Sequence, residues 1–489
     1  MKKYWKNKLA VSQIRTPDSN INNFINTWLP YNIHVTSKVS RSISSRHVGS
    51  GGAIRFRDTM QDLMLGGLFS PTKTRKRILT VYQTMQNNGR TLFGVNPRTM
   101  IGDEESITRI DAALWGVFTI YKYLSETDDF SILNEIVPYY DKGNGTILEH
   151  IIKGMEFIGN NLGKNGLPKL FDVDWNDMLQ IFSADNKNDG ETIMVAEQYI
   201  YATKLLKEIL QYANISNDNL INYIDEKSAN FAEIINSDIC WDGKWFKRLL
   251  FKSFDMGSSQ CEEGQIFLNS QSWGVLSEKL NTKKLKIAMD SVSKKLNTKF
   301  GIKTFSPAFT KKQNGDFFDA NPPGAGENAG LFLHANTWAI MAECVLQNKK
   351  RAWDYFSKIL PPNRTDENPD IYAGEPYAFT SWIYAPEHHF GGKAQLTWLT
   401  GGATWYYIAA TEYLLGIKPT LHGLEINPLL PDNWKNLNVV RTIRKTIYNI
   451  SIQKNDNLEK TEILIDGKIF NGKIIPYTNK KSLKIEVFI

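Results

Sequence analysis

Two carboxylates bracket a tryptophan and an asparagine in the segment Val173-Asp174-Trp175-Asn176-Asp177. Burial beside an indole disfavours the charged form of a carboxyl and raises its pKa, which a general acid working near neutral pH requires. Aspartate and asparagine are also good helix caps, and the tryptophan could simply pack in a core. Taken alone, this segment favours an ordinary helix start, with acid catalysis as the alternative.

A second polar cluster, Arg55-Phe56-Arg57-Asp58, follows the glycine-rich run Gly49–Ala53. Glycine lets the backbone approach a ligand closely, and neighbouring arginine and aspartate side chains can bind vicinal hydroxyls. The alternative is a surface ion pair that opens a helix, with Asp58 and Asp62 one turn apart. Either interpretation predicts a helix start here.

Two further glycine-rich loops each lead into a predicted helix. Pro322–Gly330 precedes His334, and Trp398–Trp405 contains Thr400 next to two glycines. Free backbone N–H groups at a helix start favour an anion such as phosphate. A lone histidine is usually structural, however, and the first loop lacks the lysine of a nucleotide-binding P-loop, which argues against a nucleotide site. In the second loop, Thr400 could also be the N-cap of the helix.

The elements that must position these loops are mainly helical from Trp28 to about Leu415. Apolar residues recur there at spacings of three and four, which predicts helices, and polar-aromatic loops between them suggest a toroid of helix pairs with the loops at one mouth. After Leu415 the period changes to two, which predicts a small β module over 416–489. Residues 1–27 form a polar lead-in. The spacing is clearest in Ile110, Leu114, Val117, Tyr121 and Leu124, in Leu148, Ile151, Met155 and Ile158, and, for the strands, in Tyr448, Ile450, Ile452, Ile485, Val487 and Ile489.

Composition excludes several classes of protein. The 489 residues are 42% hydrophobic and 22% charged, which is typical of a globular protein, and the net charge of +7 is scattered, so no nucleic-acid partner is expected. No apolar run is long enough to span a membrane. Three cysteines (Cys240, Cys261 and Cys344) without a CxxC pair predict a reducing compartment, the cytoplasm, and no metal site. Aromatic residues make up 12%, which suits either a sugar site or a large core.

Eight segments, in this order, resemble the glycoside phosphorylases of glycoside hydrolase family 94. This family includes the cellobiose and chitobiose phosphorylases and the phosphorylase-like end of cyclic β-1,2-glucan synthases. Each segment is modest alone, but eight in order are a strong signal. They are GGAIRFRDTMQDLM, GLPKLFDVDWNDML, WDGKWFKR, IFLNSQSWGVLS, PPGAGENAGLFLHANTWAI, GEPYAFTSW, WLTGGATW and LGIKPTLHGLEINPLLPDNW.

The resemblance implies a mainly α fold, an (α/α)6 barrel over 28–415 followed by a small β-sandwich-like domain over 416–489. It also implies an inverting reaction in which inorganic phosphate cleaves a β-linked gluco-disaccharide or oligosaccharide to an α-sugar 1-phosphate, with no other cofactor. An inverting hydrolase needs both an acid and a base that activates water. Because phosphate is already an anionic nucleophile, a phosphorylase needs only the acid.

By the same resemblance, that acid is Asp177. Trp175 would line the sugar ring, while Gln271 and Glu375 lie in motifs that border the sugar site. The implied sugar contacts are Arg41, Arg57, Asp58, Trp175, Gln271 and Glu375, and the implied phosphate contacts are His334, Thr400 and Gly401.

The sequence departs from the family in three ways. Family members usually carry an N-terminal β-sandwich, which we expect to be missing here or to be supplied by a separate subunit; a homodimer is the other expected assembly. The run Gly49–Ala53 has no arginine and is closer to the glucan-synthase type, which suggests a β-1,2 linkage. Asp189 stands where members often have an arginine. Loss of both arginines would weaken phosphate binding. The alternatives are therefore an inverting hydrolase of β-glucosides, or a catalytically impaired carbohydrate-binding remnant or subunit of a split enzyme.

Overall fold

The computed structural model describes residues 2–39, 53–102, 107–183, 189–310, 321–455, 458 and 460–489. Most of this chain is helical up to residue 414, and short strands connect the helices. Two π-helical segments, Phe24–Trp28 and Ala409–Leu414, continue neighbouring α-helices. The α-helices are Lys2–Leu9, Ser19–Asn23, Leu29–Val39, Phe56–Leu63, Gly66–Phe69, Pro71–Tyr82, Ala112–Thr127, Ile147–Asn160, Gln180–Ser183, Ile193–Tyr212, Asp218–Asn236, Leu268–Leu276, Thr282–Lys295, Leu333–Val345, Lys349–Lys358, Pro361–Glu367, Pro369–Tyr372 and Gly402–Ile408.

Six of these helices are buried on almost all sides. Along the chain, each of them packs against the next of the six. The last and the first are joined by the Trp405 indole N–H, which donates to Gln61 Oε1 at 3.0 Å. More exposed helices pack outside this inner layer. The six inner helices are Phe56–Leu63, Ala112–Thr127, Ile193–Tyr212, Leu268–Leu276, Leu333–Val345 and Gly402–Ile408.

Position in the inner or outer layer decides how well helical spacing predicts burial. The outer helix Ile147–Asn160 buries one face, as its apolar period predicts. It begins with a capping box formed by Thr146 and Glu149. The inner helix Ala112–Thr127 is instead buried on every side apart from its last residue. The spacing of three and four correctly predicts this helix, but it does not predict the burial of its other faces, which neighbouring helices cover.

Four indoles from four inner helices fill the centre of the helical layer. Trp115, Trp273, Trp338 and Trp405 are fully buried or nearly so, and each pair of rings has centroids 5.2–6.2 Å apart. Aromatic pairs at these distances stabilise a core beyond the area they bury. Part of the aromatic excess is therefore core packing and not a sugar surface.

The C-terminal residues form β-structure, as their alternating pattern predicts. Tyr448, Ile450 and Ile452 are all buried on one face of their strand. In spatial order, the larger sheet contains Ser12–Arg15, Asn436–Ile443, Thr446–Gln453, Ser482–Phe488, Glu462–Ile465 and Lys468–Phe470, and a three-stranded sheet contains Ile417–Pro419, Gly423–Ile426 and Ile474–Pro476.

The N-terminal segment joins the helical layer to this larger sheet. Ser12–Arg15 pairs antiparallel with Asn436–Ile443 and forms the edge of the sheet. The Tyr407 hydroxyl on the helical side donates to Ser12 Oγ at 2.7 Å. This role was not predicted, because four residues with mixed polarity give no recognisable strand period.

The remaining short strands lie in the loops between helices. They are Ile136–Pro138, Asn144–Thr146, Glu191–Thr192, Leu249–Leu250, Asp255–Met256, Ile266–Phe267, Phe305–Ser306, Leu331–Phe332, Thr380–Ile383 and Ala394–Thr397.

Within the described part of the chain, no helix is long and apolar enough to cross a membrane.

Candidate active site

Asp177 begins a short 3₁₀ turn, Asp177–Leu179, in the loop before the helix Gln180–Ser183. The side chain of Asn176 caps this turn by accepting from the Met178 N–H at 3.1 Å. The helix-start interpretation is thus correct for Asn176, and it does not compete with the chemical one. The cap holds Asp177 at the start of the turn, with 29% of its side chain exposed.

Two buried arginines hold the Asp177 carboxylate. Arg57 Nη2 lies 3.0 Å from Oδ1, and Arg109 Nη2 lies 2.5 Å from Oδ2. Arg57 also donates to Asp111 at 3.3 Å and to the Asp174 carbonyl at 2.8 Å. The interpretation of Arg57 as part of a surface ion pair is therefore wrong, because this guanidinium is buried among three acidic residues. The sequence does not single out Arg109 or Asp111 as site residues, since nothing in their local spacing marks them.

Asp174 has different surroundings and is completely buried. One carboxylate oxygen accepts from Arg248 Nη2 at 2.6 Å and from the Asn176 N–H at 3.1 Å. The other accepts from the Thr192 hydroxyl at 2.8 Å. The Asp174 carboxylate therefore fixes its loop to Thr192 and Arg248.

A third carboxyl, Glu327, approaches the Asp177 turn from the loop Pro322–Gly330. Its Oε2 accepts from the Met178 N–H at 2.8 Å. Burial and, to a smaller extent, the negative charge of Asp177 together raise the pKa of Glu327 to about 8. Glu327 is therefore protonated at neutral pH. The sequence drew attention to the glycines of this loop, and no spacing signal distinguished its single glutamate.

Trp175 connects the Asp177 turn to the helix that follows the glycine-rich loop Pro322–Gly330. Its ring centroid lies 4.8 Å from Trp338 in the central cluster and 5.7 Å from His334. His334 is the second residue of the helix Leu333–Val345. The loop that carries Asp177 and the start of this helix are thus in direct ring contact.

The starts of two helices meet beside His334. A Cβ atom on Gly402 would lie 3.4 Å from the His334 backbone nitrogen and 3.0 Å from Thr400 Oγ1. The Gly402 N–H donates to Thr400 Oγ1 at 3.0 Å, although Gly401 and not Thr400 is the N-cap of this helix. The first turns of both helices, which are fully described, contain no acidic residue. Two positive helix ends side by side suit a bound anion.

Four other predicted site residues have different positions. Asp58 lies 3.9 Å from nitrogens of both Arg55 and Arg57, and Glu375 accepts from the Trp398 indole N–H at 3.2 Å. Gln271 is fully buried, and its amide bonds the backbone of Phe246 and Phe267, so the structure does not bring it to the site surface. Arg41 lies outside the described residues, as do Gly49–Gly52.

Comparison with known proteins gives one family. Residues 4–416 match the family profile described as "Glycosyl hydrolase 94 superfamily, catalytic domain". The chain is 30% identical over 519 residues to an N,N'-diacetylchitobiose phosphorylase of Vibrio proteolyticus, with 100% of this chain and 63% of that protein covered. It is 29% identical over 470 residues to a solabiose phosphorylase of Paenibacillus borealis, with 95% and 58% covered.

The chain thus spans about three fifths of the length of these curated relatives. A solved sialidase structure aligns with a TM-score of 0.58 at 12% identity, covering 88% of this chain and 37% of that one, which shows a shared fold alone. The family predicted from the ordered motifs is confirmed: the chain belongs to the glycosyl hydrolase 94 superfamily and contains its catalytic domain.

Proposed function

We propose that this chain is the catalytic part of an inverting glycoside phosphorylase. Its substrates are inorganic phosphate and a β-linked gluco-disaccharide or oligosaccharide, and it forms an α-sugar 1-phosphate without a further cofactor. The observation that carries this proposal is the Trp175–His334 ring contact, which joins the partly exposed Asp177 carboxyl to two adjacent helix starts. The names of the phosphorylase relatives support the same activity.

The fold that we propose is an (α/α)6 barrel followed by a small β-sandwich-like domain. Six consecutive buried helices, each with a more exposed partner outside, support the barrel. The two C-terminal sheets support the second domain. All of the proposed site residues that the structure describes, apart from the buried Gln271, come from loops or helix starts between the inner helices, where a barrel gathers its catalytic groups.

In the proposed reaction, Asp177 donates a proton to the glycosidic oxygen as the bond from that oxygen to the anomeric carbon breaks. A phosphate oxygen held by His334, Thr400 and Gly401 forms its bond to the opposite face of the same carbon. Attack from the opposite face inverts a β-linkage to an α-phosphate. Asp177 ends as a carboxylate, and the leaving sugar ends as a free hydroxyl.

The arginines beside Asp177 must change their contacts when the substrate binds. In the structure, Arg57 and Arg109 both contact the carboxylate that must act as the proton donor. We place sugar hydroxyls on Arg57 and Asp58, with Trp175 against the sugar ring. Substrate binding then draws guanidinium contacts away from Asp177. Glu375 and Arg41 are proposed as outer sugar contacts.

The test is phosphorolysis by the purified chain. We would incubate it with phosphate and with β-1,2-, β-1,3- and β-1,4-linked glucose disaccharides and N,N'-diacetylchitobiose, and measure sugar 1-phosphate. Product that requires phosphate and disappears in Asp177→Asn supports the proposal, and the glycine run predicts the β-1,2 substrate. Free sugar formed without phosphate would instead show an inverting hydrolase.

Sugar binding without turnover would show a carbohydrate-binding remnant or one subunit of a split enzyme. We propose a cytoplasmic protein that acts as a homodimer or with a separate β-sandwich subunit. Sedimentation of the purified chain, with and without a β-sandwich domain taken from a relative, distinguishes these assemblies. Activity gained only upon adding that domain would identify the split enzyme.

A further inference from the structure

A row of five aromatic rings lies at the surface beside the proposed phosphate site. We call Trp5, Trp28, Tyr31, Tyr377 and Trp398 the aromatic strip. Consecutive ring centroids are 4.9 Å (Trp28–Tyr377), 5.9 Å (Tyr377–Trp398), 5.6 Å (Trp398–Tyr31) and 5.0 Å (Tyr31–Trp5) apart. The row is unbroken, although its members come from four separate segments of the chain.

Three rings of the aromatic strip are unusually exposed for their size. Trp28 is 40% exposed, Tyr31 is 36% exposed and Tyr377 is 39% exposed. Trp28 and Tyr31 are three residues apart in continuous helical structure, so they lie on the same face. Soluble proteins rarely leave contiguous apolar surface exposed to water, since this exposure is unfavourable. Where such a surface is found, it usually marks a binding site.

Trp398 is held in the aromatic strip by an uncommon backbone conformation. Its φ is +74°, and that of Leu396 is +54°, a left-handed region that bulky residues rarely adopt. The Trp398 carbonyl accepts from Asn32 Nδ2 at 2.9 Å and from Thr36 Oγ1 at 2.7 Å, which fixes the loop. Bulky residues held in this conformation cluster at active sites and ligand clamps.

The polar groups next to the aromatic strip suit a neutral, hydroxylated ligand. Glu375 accepts from the Trp398 indole N–H, and a carboxylate beside aromatic faces can accept from hydroxyls while the rings stack on C–H groups. His34 lies 5.2 Å from Trp5. Burial lowers the pKa of His34 to about 4, so this ring is uncharged at neutral pH.

Trp398 is only two residues before Thr400, so this end of the aromatic strip lies close to the proposed phosphate site. We propose that the aromatic strip is the stacking surface for the part of a β-linked gluco-oligosaccharide that extends beyond the catalytic pocket. The ligand identity rests on the proposed function. On this proposal, the aromatic strip makes the protein prefer chains longer than a disaccharide.

The test is calorimetric titration of the Asp177→Asn protein, because this substitution prevents turnover. The ligands are gluco-oligosaccharides of two to five units with the linkage that is active in phosphorolysis. If no linkage is active, the β-1,2-linked series is used. We expect the pentasaccharide to bind about tenfold more tightly than the disaccharide. Adding Trp28→Ala and Tyr377→Ala should abolish this difference. Trp28→Phe with Tyr377→Phe keeps two rings and should restore most of it.

Phe390→Ala is the matched control, since Phe390 is an exposed aromatic residue whose ring contacts are with Tyr384, His388 and His389. It should keep the chain-length dependence. Affinity independent of chain length in the Asp177→Asn protein, with normal disaccharide binding, would overturn the aromatic strip proposal and leave the proposed function intact. Absence of binding by every saccharide would overturn both.

A second copy of the chain is the other possible occupant. If the Trp28→Ala and Tyr377→Ala substitutions convert a dimer into a monomer in sedimentation and leave the sugar affinities unchanged, the aromatic strip is a dimer contact. That result would also overturn the proposal.

Discussion

Asp174 and Asp177 lie three residues apart, but their surroundings are opposite. Asp174 is completely buried and accepts hydrogen bonds from Arg248, Thr192 and the backbone of Asn176. Asp177 is partly exposed, and within the described part of the chain the guanidinium groups of Arg57 and Arg109 hold it. A carboxylate whose contacts all lie inside the fold can stabilise a loop, whereas one that reaches solvent can exchange its partners for a substrate. The first is thus suited to a structural role and the second to a chemical one.

Among these substitutions, Asp177→Asn should have the largest effect. We expect kcat for phosphorolysis to fall about 1,000- to 10,000-fold, because an amide cannot donate the required proton. The thermal midpoint should fall less than in Asp174→Asn, because Asp177 is partly exposed and Arg57 keeps its ion pair with Asp111. Steady-state kinetics and thermal melts of the same preparation check both. Unchanged kcat would remove Asp177 from the mechanism.

Asp174→Asn should act on stability. It leaves the buried Arg248 guanidinium without its countercharge, and we expect the free energy of unfolding to fall by about 3–5 kcal/mol, measured by urea titration. Asp290→Asn, in an exposed pair with Arg351, is the control and should be neutral. A stable Asp174→Asn protein that loses all activity would reverse the assignment of the two carboxylates.

Glu327→Gln tests the buried carboxyl next to Asp177. Because the pKa of Glu327 is raised to about 8, the folded protein keeps a proton that the unfolded chain releases above about pH 4.5. Between these values, rising pH should destabilise the parent protein by about 1.4 kcal/mol per pH unit through this group. The amide variant lacks this contribution, so it should gain stability relative to the parent from pH 5 to pH 8.

Urea titrations at pH 5, 6.5 and 8 measure that difference. Glu278→Gln, at an exposed pair with Lys204, should give a curve parallel to the parent. Parallel curves for Glu327→Gln as well would show that Glu327 is ionised in the folded protein.

The smallest expected effect is on phosphate binding at the proposed phosphate site. Thr400→Val removes a hydroxyl at the meeting point of the two helix starts, and KM for phosphate should rise about tenfold. KM for the sugar should stay the same. Thr365→Val, on the helix Pro361–Glu367, is the matched control. A lower kcat with unchanged KM for phosphate would place Thr400 outside the phosphate site.

Local patterns predicted whatever depends on neighbours in the sequence. Alternation predicted the strand that buries Tyr448, Ile450 and Ile452, and the capping pattern correctly described Asn176. The same patterns failed where packing decides burial. The helix Ala112–Thr127 is covered on all sides, and four tryptophans that could have lined a sugar site form the core instead.

The sequence by itself determined the family and the order of the loops that carry the site, because each motif is a contiguous run of residues. Only the tertiary structure decided which carboxylate is enclosed and which is open. The groups responsible are far away in the chain: Arg248 is 74 residues from Asp174, Arg109 is 68 from Asp177, and Glu327 is 149 from Met178. Burial and charge at Asp174, Asp177 and Glu327 depend on those distant neighbours, and no local pattern of residue types records which of them the fold brings together.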